Sequence, residues 1–353
     1  MLGQELPDAR EPESEESRGR VGTIIQGVLV AAGLVGLVAL VRALGAAAVL
    51  ESLGRLPASL FVAVLAITAV QVLLTLLTWR FAFVRAVPLR TLVIPQLAGE
   101  ALNGTTPTGR VGGEGVKAWL AGERLPMRDT IVSLVVVKAA DVAGQALFTL
   151  VGFVVAVATG SVDRWLVNAM LALFIVQVIA AVGFIAFQVR GGLARSGELL
   201  RRVMPAPKWA GRGAVLRVDR ALALYYRRHP LRFAAGVACV LLRFAGSMLE
   251  TYLVFLALGI GSPLSSAVVV TTASSAISFV TFFVPLDIGV REGGFVAASV
   301  ALGLSGAAGM TVSLVKRFTD VALWSVGLLA LARARRASDR APMAAAEVLA
   351  PEA

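Results

Sequence analysis

Long apolar runs alternating with short basic connections constrain this chain more than any other feature. Six runs, about Thr23–Val41, Ala58–Thr78, Thr130–Ala158, Trp165–Val189, Phe233–Leu258 and Ala307–Leu331, are each long enough to cross a bilayer. A helix needs about 20 predominantly apolar residues to span roughly 30 Å of hydrocarbon. Charged residues make up only 16% of the 353 and the mean hydropathy is +0.82. A soluble domain carries about a quarter charged residues. The expected fold is therefore an all-α polytopic membrane protein with about six transmembrane helices.

The expected organisation has three parts. Residues 1–21 are a disordered cytoplasmic N-terminus, rich in Glu, Pro and Ser. Residues 22–333 form a single transmembrane domain. Residues 334–353 are a disordered cytoplasmic tail. The first apolar run has no basic leader and no clear small-residue cleavage site, so it reads as a retained helix and not a signal peptide.

The connection 190–232 holds eleven Lys and Arg against two acids, Glu198 and Asp219. The excess of positive charge places it in the cytoplasm. Counting spans outward then places both termini in the cytoplasm. The loop with Asp163 and Arg164, and the one with Arg42, Glu51 and Arg55, fall outside. Anionic lipid headgroups are the expected partners of the basic connection, and they account for the formal charge of +11 without nucleic acid. Ala214–Arg228 within it reads either as an amphipathic surface helix or as a plain basic loop.

Several chemistries are excluded by the residues themselves. One cysteine, Cys239, and one histidine, His229, leave no structural zinc site, Cys-pair redox site or internal disulfide. His229 stands among arginines with no nucleophile motif nearby. No Walker motif is present, and Gly109, Gly112, Gly113 and Gly115 lack the following Lys-Ser or Lys-Thr of a phosphate loop. No catalytic residue, metal or cofactor is expected, and the chain is not read as an enzyme. Without a Walker motif, nothing in the residues points to coupling with nucleotide hydrolysis.

Two stretches break the span pattern. Residues 91–122 are cut by Pro95 and Pro107, and residues 264–304 are broken at Pro285-Leu286-Asp287-Ile288-Gly289. Both read as re-entrant helical hairpins, which at depth must be buried in protein or line a cavity. Pro107, Gly113, Gly115, Pro285, Gly289 and Gly293 are the expected breaks. The hairpins match at an offset of 178 residues: Pro107 with Pro285, Glu114 with Glu292, Gly115 with Gly293, Val137-Lys138 with Val315-Lys316. An acid follows each lysine, Asp141 and Asp320. Repeat one covers about 57–160 and repeat two about 233–332. The span before the first hairpin runs inward and the one before the second runs outward, so the repeats are inverted. Inverted repeats with discontinuous helices at the midplane are a frequent transporter architecture.

Ionisable groups inside spans cost roughly 2.5–3.5 kcal/mol each on insertion scales. Glu114, Lys138, Asp141, Arg291, Glu292, Lys316, Arg317 and Asp320 are the candidate substrate-binding or cavity-lining residues. Glu114 and Glu292 sit where broken helices restart, where the positive helix end favours a carboxylate. One reading is a polar cavity near the pseudo-twofold axis that accepts an anionic or zwitterionic lipid headgroup. The other is a set of fixed ion pairs, Glu114–Lys138 and Glu292–Lys316, holding each hairpin to the next helix. The two can coexist. Asp141, Asp320, Arg243 and Glu250 are expected to pair between helices. Trp79, Trp165 and Trp324 lie near span ends and read as interfacial anchors.

PLDIGVREGGFVAASVALGLSGAAGMTVSLVKRFTDV, with its earlier partner PTGRVGGEGVKAWLAGERLP, resembles the lysylphosphatidylglycerol synthase transmembrane region family, also called flippase-like membrane proteins. The second stretch is similar to the hopanoid-biosynthesis-associated branch. The resemblance covers about residues 22–332. It implies that Pro285, Gly289, Glu292, Gly293, Lys316, Arg317 and Asp320 occupy recurring family positions. It also implies a bacterial inner-membrane, lipid-translocating role. Large members carry a soluble synthase domain that transfers lysine to phosphatidylglycerol. That domain is expected to be absent here, so the aminoacyl transfer is not carried over. An accessory protein of lipid biosynthesis, and less so a membrane-embedded lipid-modifying enzyme, are the alternatives.

Overall fold

The computed structural model describes residues 42, 46–106, 112–160, 162–192, 212–261, 263–281 and 287–348, with side chains described to Ala334. The first expected span, Thr23–Val41, lies outside the described residues, as do Pro107, Pro285 and residues 193–211. Among the described residues every regular element is a helix. In chain order they are α1 Ala46–Gly54, α2 Ala58–Ala82, α3 Leu89–Thr105, α4 Gly112–Gly122, α5 Met127–Thr159, α6 Arg164–Val189, α7 Arg212–Arg228, α8 Pro230–Ala257, α9 Pro263–Val280, α10 Val290–Ala301 and α11 Gly306–Val348.

Proline marks most of the long-helix starts. Pro57, Pro88 and Pro126 occupy the N-cap positions of α2, α3 and α5, and Pro230 opens α8. Proline fits there because the first N–H groups of a helix have no internal partner. Gly160, with φ +62°, ends α5 in the left-handed conformation that closes many helices.

Four helices, α2, α5, α6 and α8, are long and apolar enough to cross a membrane. They match four of the expected spans to within a few residues. Their outward faces are apolar too: Val62, Val70, Ile179, Val182 and Leu242 are all more than half exposed. Apolar surface on that scale faces lipid, since water would drive it inward. The chain is thus a multi-pass α-helical membrane protein.

The sixth expected span begins at Gly306 as α11, with Lys316, Arg317 and Asp320 in its first half. The helix does not stop near Leu331. It continues to Val348, over residues read from sequence as a disordered tail. This stretch is rich in Ala and Arg, both strong helix formers.

The internal repeat reappears as two four-helix units, α2–α3–α4–α5 and α8–α9–α10–α11. Their starts fall within about six residues of the 178-residue offset. Packing follows the same scheme in each. The leading helices α2 and α8 pack on each other, while α3 packs on α11 and α9 on α5 across the units. Direction can be read from the register. Gln71 lies against Gly246 and Glu250, and Thr78 lies against Gly236. Numbers rise on α2 as they fall on α8, so equivalent helices run antiparallel. Each expected hairpin is a longer helix followed by a short one, α3–α4 and α9–α10, packed side by side.

α7 lies across the ends of α2, α6 and α8. Tyr225 Oη donates to Phe81 O at 2.9 Å, and Tyr226 Oη donates to Gln188 Oε1 at 2.7 Å. Arg232, just after α7, donates to Val84 O. Leu222 and Tyr225 are buried against Val132 and Val136 of α5. Burial pushes the Tyr225 phenol up to about 12, which keeps its proton on the donor. Of the two readings for Ala214–Arg228, the structure has the helix.

Candidate functional site

The first hairpin restarts at α4, which brings Glu114 into its first turn. Glu114 Oε1 accepts from Lys117 Nζ at 3.1 Å and from Lys138 Nζ of α5 at 2.9 Å. Lys117 Nζ also donates to Glu100 Oε1 of α3 at 2.8 Å, and Gln96 donates to the same oxygen. Two carboxylates and two ammonium groups from three helices thus form one centre. Exposure separates them: the side chain of Lys117 is 5% exposed, Glu114 21%, Glu100 40% and Lys138 45%.

Gly113 makes the close hairpin possible. A Cβ there would stand 2.1 Å from Gly99 O, and the Gly113 N–H donates to Asn103 Oδ1 at 3.0 Å. Only glycine allows two backbones so near. Gly115, expected at the break, lies inside α4, and a Cβ there would meet nothing within 4 Å.

The second hairpin restarts at α10. Gly289, with φ +80°, is its N-cap, and Asp287 just before it has φ +50°. Glu292 Oε2 accepts from the Gly289 N–H at 2.8 Å, a reach-back that satisfies a helix-start donor. Glu292 Oε1 accepts from Arg317 Nε of α11 at 2.8 Å, and Arg317 Nη2 donates to Asp287 O at 3.1 Å. One guanidinium fork therefore fastens the hairpin turn to α11. Arg291 and Asp320 form a second pair between the same helices. Gly293, also expected at the break, lies within α10 with open space where a Cβ would be.

Lys316 faces elsewhere. Its Nζ donates to Glu250 Oε2 at 2.7 Å, Ser247 O at 2.8 Å and Ser247 Oγ at 2.9 Å, all on α8. Glu250 Oε1 accepts from Gln71 at 2.7 Å and Thr68 at 3.2 Å on α2. An ammonium has three donors and all are used. Both side chains are about 5% exposed or less. The expected Glu292–Lys316 pair is therefore replaced by Glu292–Arg317 and Glu250–Lys316. Successive residues on a helix point about 100° apart at 3.6 residues per turn, so Lys316 and Arg317 meet different neighbours.

Asp141 of α5 pairs with Arg243 of α8 at 3.0 Å, both about one-third exposed. The expected interhelical pairing of Asp141, Asp320, Arg243 and Glu250 is thus what the structure has. So is the Glu114–Lys138 pair. Trp79 is no interfacial anchor: it is 1% exposed and its Nε1 donates to Ser133 Oγ at 2.9 Å. Trp324 packs on Gly104 of α3.

Sequence reasoning missed Glu100, Lys117, Ser247, Thr68 and Gln71. Lys117 lies in the quoted first-hairpin motif, three residues after Glu114, which is the helical spacing for a pair on one face. Glu100 follows Gln96 by four residues, the same kind of signal. Nothing local marks Ser247, Thr68 or Gln71, because their partners are on other helices. Among the described residues no group of His, Cys, Asp and Glu could hold a metal ion.

A family model described as the lysylphosphatidylglycerol synthase TM region matches residues 24–330. No curated protein and no solved structure matches the chain.

Proposed function

The chain belongs to the lysylphosphatidylglycerol synthase transmembrane region family, and from that premise we propose that it is a flippase-like transporter of lipids. In this reading it moves or holds a lipid headgroup along a polar path between its two units, while the acyl chains stay in the bilayer. One observation carries the reading. Two antiparallel four-helix units place charged residues where short helices restart inside an otherwise apolar chain. Charge inside a membrane is costly, so it is kept where it binds, relays or holds helices together.

The fixed-pair reading and the headgroup reading divide between the two units. The centre at Lys316 is saturated by its own neighbours and favours a structural role. The centre at Lys138 is half-open and favours contact with a ligand. No catalytic step is part of this proposal. The bacterial inner membrane is the proposed location, with both termini in the cytoplasm. Arg217, Arg220, Arg227 and Arg228 of α7 would then meet anionic headgroups of the inner leaflet.

The test is reconstitution in liposomes with fluorescent phospholipid or hopanoid analogues, following how fast the label in each leaflet becomes accessible to a membrane-impermeant quencher. Faster exchange than in protein-free vesicles is expected. Equal rates for every lipid would remove the transport reading. A chemically altered lipid would replace it with an enzyme.

A further inference from the structure

Among the described residues one salt bridge joins the two units, Arg243 of α8 with Asp141 of α5. It lies outside both hairpins. Arg243 stands midway in the 28-residue α8, about 20 Å from the helix start at 1.5 Å per residue. Both side chains are nevertheless about one-third exposed. Lipid does not account for that exposure. At about 100° per residue, Arg243 lies on the side of α8 that carries Gly236, Val240, Glu250 and Val254, all buried. The exposed Leu242, Leu249 and Leu256 lie about 100–140° around the helix from it. Asp141 is likewise on the side of α5 that carries the buried Gly144, Gln145, Phe148 and Gly152, and Gly144 sits directly against Val240. The pair therefore opens between the units.

The bonding of the pair is incomplete. Arg243 Nη2 donates to Asp141 Oδ1 at 3.0 Å, the one hydrogen bond of either side chain among the described residues. A guanidinium has five donors in a planar fork, so most of this one has no protein acceptor. The Phe244 ring covers part of it, with its centroid 4.9 Å away. Arg317, by contrast, divides its fork between Glu292 and Asp287 O. Unpaired guanidinium N–H groups at this depth are costly, so the open donors face water or an oxyanion. A single-contact, partly exposed pair adds little stability by itself. Lys138, one turn before Asp141 on α5, is nearly half exposed, so a second cation borders the same opening.

We propose that Arg243 binds the phosphodiester of a membrane lipid, and that Asp141 is the internal counter-ion which that phosphate displaces. The assignment rests on the lipid-handling reading above and adds the residue that takes the phosphate between the units. A phosphodiester offers two non-bridging oxygens, which match two N–H groups of the fork. Asp141 engages one. The phosphate is the better partner once it arrives, and Asp141 closes the fork again when it leaves. Because the two residues belong to different units, the exchange also releases the salt bridge between α5 and α8.

Lipid binding to the full chain in detergent, read by native mass spectrometry, tests the exchange. The probes are phosphatidylglycerol, diacylglycerol with the same acyl chains, and glycerol 3-phosphate. Wild-type protein should hold phosphatidylglycerol about tenfold better than either of the others, the scale of one charge-assisted contact. Arg243→Gln should bring phosphatidylglycerol down toward diacylglycerol. Asp141→Asn should move the other way and bind phosphatidylglycerol about threefold more tightly, since a partly exposed competitor is gone. A purely structural pair would give losses in both variants or a change in neither, and either result overturns the proposal. Equal binding of phosphatidylglycerol and diacylglycerol by wild type overturns it too, whether or not a variant folds. Glycerol 3-phosphate held as tightly as phosphatidylglycerol would give the site to a free phosphate and end the lipid assignment. If liposome exchange is fast while Arg243→Gln binds like wild type, the transport reading stands and this one fails. If the opposite shifts hold while exchange stays at the protein-free rate, the transport reading fails and this one stands.

Discussion

The two hairpin centres occupy equivalent places in the two units, and their lysines differ sharply in pairing and exposure. In the second unit Lys316 spends all three donors on α8, Glu250 takes two further bonds from α2, and Arg317 locks the hairpin turn to α11. In the first unit the residue equivalent to Lys316, Lys138, makes one ion pair and stays nearly half exposed. The same scaffold, duplicated and inverted, has one centre closed on itself and one left open. Equivalent sequence position therefore does not imply equivalent duty. What separates the two is how many neighbouring helices supply acceptors.

The largest effect that tests this contrast is Lys316→Met. It leaves Glu250 charged and buried without its cation, a loss of roughly 3–5 kcal/mol for breaking a buried pair. Thermal unfolding in detergent should show a large drop, partly restored by adding Glu250→Leu. A stable Lys316→Met protein that no longer handles lipid would break the contrast, because the closed centre would then be the working one.

Gly113→Ala comes next. The added Cβ collides with Gly99 O in a backbone-to-backbone contact that cannot rotate away. Overpacking of this kind costs about 1–3 kcal/mol. Gly115→Ala, two residues on, meets nothing and should match or exceed wild-type stability. Equal losses at both positions would mean that α3 and α4 are not held as closely as the structure has them.

The smallest effect on stability is expected from Lys138→Met. A half-exposed pair contributes about 0–1 kcal/mol, and Glu114 keeps Lys117. The melting curve should barely move while lipid binding falls. A large stability loss here would make the open centre structural as well, and the comparison would collapse into two versions of one clamp.

Much of this architecture is legible without coordinates. The spans corresponding to α2, α5, α6 and α8 follow from apolar length, because a bilayer imposes a length on any helix that crosses it. The repeat follows from rare residues recurring at one offset, and the inversion from an odd number of crossings between them. Within one helix or hairpin, pairs such as Glu114 with Lys117 obey local spacing. The partner of Lys316 does not, since Glu250 is 66 residues away and could be chosen only by helix packing.

The sequence by itself determined that this protein lies in a membrane, that it contains two related halves, and which residues carry charge into the spans. Those outcomes depend on transfer of side chains from water to hydrocarbon, which composition and order along the chain decide. Only the tertiary structure decided which charges are saturated and which stand open. Neutralising a charge requires an acceptor within about 3 Å, and that distance is set by the crossing of helices far apart in the chain. The same alternation of apolar and basic runs that announces the membrane is therefore silent on the difference between Lys138 and Lys316.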